Sequence, residues 1–320
     1  MTDKETIKKR AFYTQKIRDF FNAQNFTEVE TPIMVTIPGM EPHLTPFETQ
    51  FTDQTKLYLN HSPELQMKKL LAQGFGNIFN ITKVFRNGEI GGNTHNPEFT
   101  MIEWYRENAN YQNIMEDCEK LISSLAPEIT YQGNKIDLKS PWPRKSVQEL
   151  FKEYCQIDLT SEDPFKNHDT SGCHTWDDKF FKVFLNEIEP HLGKNKPLIV
   201  YDYPSSQAAL AKKSTKNPFF AERFELYIAG IELANAFSEL TDAQEQRDRL
   251  KQEQQERKEL KKTVFPIDEE FLHSLESIQF PCAGIALGLD RLLMLLMDKK
   301  SINEVLLFPL WQQLQLSHKE

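Results

Sequence analysis

The chain has 320 residues, with 38 Lys+Arg against 47 Asp+Glu and a formal net charge of −9. At 39% hydrophobic and 27% charged residues it can bury a large core, which excludes a disordered tail, a collagen-like repeat and a disulfide-stapled miniprotein. No apolar run approaches the roughly 20 residues that span a bilayer, and the charged opening leads into no apolar signal region. No membrane association and a cytoplasmic location are therefore expected. Cys118, Cys155, Cys173 and Cys282 are scattered, as free thiols in a reducing compartment would be. His168, Cys173 and His174 are close in sequence but lack a fourth ligand, so a zinc site is not expected. The acidic balance argues against generic nucleic-acid binding.

Residues 5–25 read as a helix with Ile7, Ala11, Ile17 and Phe21 near one face. Thr27 to Pro32 is extended, because the residue before a proline is pushed out of the α region. Residues 57–59 form a short strand. A helix then starts at Ser62-Pro63-Glu64, with serine as cap and proline in the first turn, and stops at Gly74. Residues 77–85 and 98–105 read as strands around a polar loop. In the second, Phe99, Met101, Glu103 and Tyr105 share one face, and Thr100, Ile102 and Trp104 the other. That alternation fits a polar pocket floored by a sheet, or equally an edge strand with a solvated Glu103.

Residues 110–125 are helical. A hairpin turns at Gly133, and helices follow near 147–154 and 176–188. Residues 198–203 form a strand, and 224–237 read as strand, turn at Gly230, strand. Residues 242–262 carry six acidic and seven basic side chains and read as a solvated helix. Residues 284–288 form a small-residue strand running into an apolar helix at 289–297. Adjacent strands flanked by helices predict an α+β fold with an antiparallel or mixed sheet.

Three places carry candidate chemistry. Arg86 ends a strand, where a guanidinium can grip a phosphate bidentately, or simply decorate a hairpin. Glu232 and Glu239, with Asn235 and Phe237 between them, would need a cation such as Mg²⁺ or an ammonium if buried, or would face solvent. Gly288-Leu289-Asp290-Arg291 lets a flat ligand approach the backbone beside a helix start that favours phosphate. Neither a P-loop nor a Rossmann fingerprint is present.

In order, these blocks resemble class II aminoacyl-tRNA synthetases of the lysyl branch. Residues 20–32 resemble motif 1. Residues 85–89 with His95 to Tyr105 resemble motif 2, and 284–291 motif 3. Residues 230–242 resemble the branch's metal and amino-acid segment. Within that superfamily the chain is similar to the elongation factor P–(R)-β-lysine ligase family, paralogues of lysyl-tRNA synthetase. Motif 1 begins within the opening helix, so one catalytic domain over residues 1–320 is expected, without an N-terminal OB anticodon-binding domain. Ala286 stands where the synthetases have glycine. His61-Ser62-Pro63-Glu64 and Pro204 to Ala211 also resemble segments of the paralogues. One departure is Arg86-Asn87-Gly88-Glu89, where the family reads R-N-E.

The resemblance implies two-step chemistry: an aminoacyl-adenylate forms from ATP, then its acyl group passes to the ε-amine of a lysine on elongation factor P. It implies Arg86 on the α-phosphate and Arg291 on the γ-phosphate, and Phe99 and Arg291 about the adenine. Asn87, Glu89, Asn96, Glu232, Leu233 and Gly288 complete the nucleotide site. Ser62, Pro63, Glu64, Glu103, Tyr105, Asn235, Glu239 and Ala286 line a pocket for β-lysine or lysine. Glu232 and Glu239 hold Mg²⁺, and motif 1 forms a homodimer interface. Alternatives are a minimal synthetase that charges tRNA, which the acidic charge opposes, and a non-catalytic amino-acid or nucleotide binder.

Overall fold

The computed structural model describes residues 2–89, 92–310 and 312–313. The chain forms two compact units, one of residues 1–108 with 241–320 and one of residues 109–240.

In the first unit the opening helix, Lys4–Ala23, is capped by Asp3, whose side chain accepts from the Thr6 amide. Its Phe21 is stacked on Phe79 with ring centroids 4.9 Å apart and lies 5.1 Å from both Phe26 and Trp104. This aromatic cluster is fully buried on one face of a sheet, which fixes that face as core. The sheet runs Thr27–Glu28, Ile78–Phe85, Glu98–Glu107, Cys282–Gly288. The first pair is parallel and the others antiparallel. In the register, Glu103 lies between Asn80 and Ala286, Tyr105 faces Gly284, and Met101 faces Gly288. Because strand side chains alternate, these residues share the face opposite Phe79 and Trp104, as the pattern predicts.

The second unit pairs Arg144–Ser146 in parallel with Leu198–Pro204, followed antiparallel by Phe220–Ile228 and Ile231–Ser238. The last two are joined at Gly230, whose φ of +76° belongs to the region glycine enters without strain. Phe151, Phe180, Phe184, Tyr203 and Tyr227 build its core. The helices expected near 147–154 and 176–188 exist, but each changes from α to π geometry, at Phe151–Cys155 and Phe184–Ile188.

The charged segment departs from expectation. It is a helix, Ala243–Glu259, but Gln246, Leu250, Glu253 and Arg257 are buried. Arg257 is 1% exposed and donates to the carbonyls of Thr263, Glu41 and Leu44 at 2.7, 2.8 and 3.1 Å. Its guanidinium also lies 4.5 Å from the Phe265 ring centroid. One face of this helix therefore anchors a loop rather than meeting water.

Candidate active site

In the first unit the sheet's polar face carries a buried acid. Glu103 is 1% exposed, accepts from Ser62 Oγ at 2.7 Å and from Tyr105 OH at 2.9 Å. Burial, followed by repulsion from Glu64, pushes its carboxyl up to about 8, against the opposing pull of Ser62, Tyr105 and Lys68. Burial likewise raises Glu64, although Lys68 Nζ donates to its Oε1 at 2.6 Å. A site that holds acids at this cost favours a ligand bringing positive charge.

Ser62 sits one residue before the cap position of its helix and still receives the first helical amide. The helix Glu64–Ala72 has Pro63 at its cap position with no side-chain cap bond. Ser62 Oγ accepts from the Glu64 amide at 3.1 Å while donating to Glu103, so it ties the helix start to the acid. Ala286, partly buried and directly across from Glu103, brings its methyl to the same pocket.

Arg86 leaves the strand Ile78–Phe85 with its amide bonded to the Pro97 carbonyl at 2.9 Å. Its NH1 donates to Glu89 at 3.2 Å, and its guanidinium carbon sits 5.3 Å from the Phe99 ring centroid. The shifted Glu89 thus reaches the motif arginine despite the extra residue before it. Arg86 Nε is buried and has no hydrogen-bond partner among the described residues. Ile90 and Gly91 of this loop lie outside the described residues. Asn87 is exposed, and Asn96 is 2% exposed with its Nδ2 donating to the Glu98 carbonyl at 2.5 Å.

Arg291 projects from the helix Leu289–Leu296, for which Gly288 is the cap position. Its Nε donates to the Thr94 carbonyl at 3.2 Å, and its NH2 lies 2.9 Å from His95 Nε2. His95 was not singled out by sequence reasoning. Burial first, then the Arg291 and Arg86 cations, lower its pKa, so it accepts as a neutral imidazole. The signal was a histidine inside the motif 2 loop, whose tie to Arg291 is visible only in three dimensions. Asp290, 1% exposed, was also missed. It accepts from the Thr100 amide at 2.6 Å and from Arg10 NH1 at 2.5 Å, pinning motif 3 to motif 2.

In the second unit Glu232, Leu233 and Asn235 lie on the strand Ile231–Ser238, and Glu239 follows it in a bridge with Ala211. Asn235 is partly buried, and its Oδ1 accepts from Arg223 Nε at 2.8 Å. Extended backbone rises about 3.3 Å per residue, so the seven steps from Glu232 to Glu239 span about 23 Å. One ion therefore does not bridge these two carboxylates. Among the described residues no group of three or more His, Cys, Asp or Glu forms a metal cage. A hydrated Mg²⁺ that keeps phosphate oxygens needs only one or two carboxylates, which a single glutamate fits. His168 lies 3.3 Å from Glu187.

A scan against family models matches residues 2–312 to the class II tRNA synthetases (D, K and N). The chain belongs to that family. It is 40% identical over 313 residues to the elongation factor P–(R)-β-lysine ligase of Haemophilus influenzae, covering 94% of this chain and 93% of the relative. With the elongation factor P–(R)-β-lysine ligase of Proteus mirabilis it shares 39% identity over 316 residues, covering 95% and 94%. The lysine–tRNA ligase of Pelotomaculum thermopropionicum is 38% identical over 96% of this chain, but only 63% of that protein is covered. These matches join the lysyl-branch fold to relatives of the same length that are ligases. No described helix is long and apolar enough to cross a membrane.

Proposed function

We propose that this chain is an ATP-dependent, AMP-forming ligase that activates β-lysine or lysine and transfers it to a lysine ε-amine of elongation factor P. The observation that carries the reading is the buried carboxyl of Glu103, held by Ser62 and Tyr105, on the strand that also carries Phe99. Similarity along nearly the whole length of the elongation factor P ligases supports the acceptor.

Arg86 and Arg291 bind the triphosphate and stabilise charge as the substrate carboxylate attacks the α-phosphorus and pyrophosphate leaves. Phe99 and Arg291 flank the adenine, while Asn87, Glu89 and Asn96 fix the nucleotide. Glu232 and Leu233 extend the nucleotide contacts, and Gly288 leaves room for the ring. Glu232 offers a carboxylate to Mg²⁺, which when bound draws charge from the phosphate oxygens. In the first unit Ser62, Pro63, Glu64, Glu103, Tyr105 and Ala286 serve the amino acid, and in the second Asn235 and Glu239 are its contacts by resemblance. In the second step the acceptor ε-amine attacks the adenylate carbonyl, an amide forms and AMP departs.

One catalytic domain acting in the cytoplasm as a homodimer completes the reading. Exposed Ile33 and Met34, directly after the motif 1 segment, and Phe12 on the helix that leads into it support a covered surface there. Incubation with ATP, labelled β-lysine and elongation factor P tests the proposal. Label in the factor is expected; label in tRNA and none in the factor overturns it.

A further inference from the structure

Asn235 belongs to the amino-acid pocket in the proposed function, and an asparagine amide can present either end to a ligand. Which end it presents is decided by what holds the other. Here the holder is Arg223 on the neighbouring strand, in the same unit. Arginine has donors only, so the 2.8 Å contact from Arg223 Nε requires Asn235 to turn its Oδ1 inward. The Nδ2 hydrogens are then left on the side chain's outer end, and Asn235 sits partly exposed between buried Ala234 and Ala236.

Arg223 is unusually well fixed for this task. It is 9% exposed. Its NH1 donates to the Gln207 carbonyl at 2.6 Å and its NH2 to Glu225 Oε1 at 2.5 Å. The guanidinium also lies 4.4 Å from the Tyr203 ring centroid. Glu225 is held in turn by the hydroxyls of Tyr203 and Tyr227 at 2.5 and 2.6 Å. All three guanidinium nitrogens are therefore engaged in one planar fork, which lysine's point charge cannot reproduce.

We infer that Arg223 is a positioning residue that locks the Asn235 amide with its NH2 group outward, making Asn235 a donor for the carboxylate of the amino-acid substrate. The inference rests on the proposed function, because it needs an amino acid in that pocket. It makes a distinction that a merely structural role does not. Loss of Arg223 must weaken ligands that have a carboxylate and spare those that lack one.

The test compares binding of lysine and of cadaverine, its analogue without a carboxylate, by calorimetry to the wild-type chain and to Arg223→Lys. Arg223→Lys keeps a cation against the buried Glu225, and its melting temperature is measured alongside. A lost hydrogen bond to a charged group weakens lysine by about tenfold or more, with cadaverine unchanged within about twofold. Asn235→Asp, which keeps the inward acceptor but loses the NH2, is expected to weaken lysine in the same selective way. Equal weakening of both ligands, or lysine affinity unchanged in Arg223→Lys, overturns the inference. An Arg223→Lys chain that fails to fold shifts the decision to Asn235→Asp, where unchanged lysine affinity overturns it. Wild-type protein that binds neither ligand overturns the proposed function and this inference with it, which separates the two failures.

Discussion

Two arginine-bearing regions of the first unit use the same side chain to opposite ends. On the helix Ala243–Glu259, Arg257 is buried, donates to three carbonyls and covers an aromatic ring. At the strand end, Arg86 has 26% of its side chain exposed, a single ion pair at 3.2 Å and an Nε without a partner among the described residues. A guanidinium held by three backbone carbonyls is part of the frame. One held loosely, with a donor unspent, is available to an incoming anion. The residue type and the charge are equal; the degree of satisfaction differs.

The largest expected effect tests the loosely held side. Arg86→Ala should lower amino-acid-dependent pyrophosphate exchange by about a thousandfold, the scale for losing a charge-stabilising donor, with little change in melting temperature. If the variant melts early and keeps its exchange rate, the comparison is inverted. The satisfied side comes next. Arg257→Met strands the carbonyls of Glu41, Leu44 and Thr263 and should cost about 3 kcal/mol in denaturant unfolding, while KM for ATP stays unchanged. A neutral result there would mean that the charged helix is as solvated as its composition suggests.

Glu103 sharpens the comparison with an acid. Its carboxyl is pushed to about 8 in the folded chain from an ordinary 4.5, so the folded state holds an extra proton between these values. Stability therefore falls as pH rises through the window from 4.5 to 8. An ammonium ligand needs the ionised form, so amino-acid affinity should rise with pH up to about 8, by as much as about tenfold per unit. Glu103→Gln should flatten this pH profile of KM and raise KM by about tenfold or more at pH 8. A profile that keeps its slope in the variant would assign the proton elsewhere. The smallest effect is expected at Ala286, across the register from Glu103. Ala286→Gly removes one methyl from the pocket and should shift the α-lysine to β-lysine activation ratio by about tenfold, the scale of one methyl. An unchanged ratio would detach that methyl from selectivity.

What was legible in the sequence was what local rules govern. Period-two alternation put Phe99, Met101, Glu103 and Tyr105 on one face, and the strand pairings bear this out. The helix at Tyr111–Leu125 begins where Asn110 caps it. The order of the motifs was enough to place the chain in its family. Local rules failed where a residue's partner is remote in sequence. Ser62 read as a cap because serine before proline and glutamate favours one, and its Oγ does accept the Glu64 amide, but no local rule shows that its proton goes to a carboxylate 41 residues away. The helix of alternating charges read as solvated because i,i+4 pairs suffice to explain such a pattern, and only the loop at Glu41–Leu44 shows why Arg257 is buried.

The sequence by itself determined the elements, their faces and the inventory of arginines and acids, because backbone preference and side-chain periodicity act over a few residues. Only the tertiary structure decided which of those charges are satisfied. Burial and hydrogen-bond partners on other elements, from 12 to 196 residues away, set the proton on Glu103, the neutral state of His95 and the turn of the Asn235 amide. A desolvated charge takes its energy from its surroundings, and those surroundings exist only once the chain has folded.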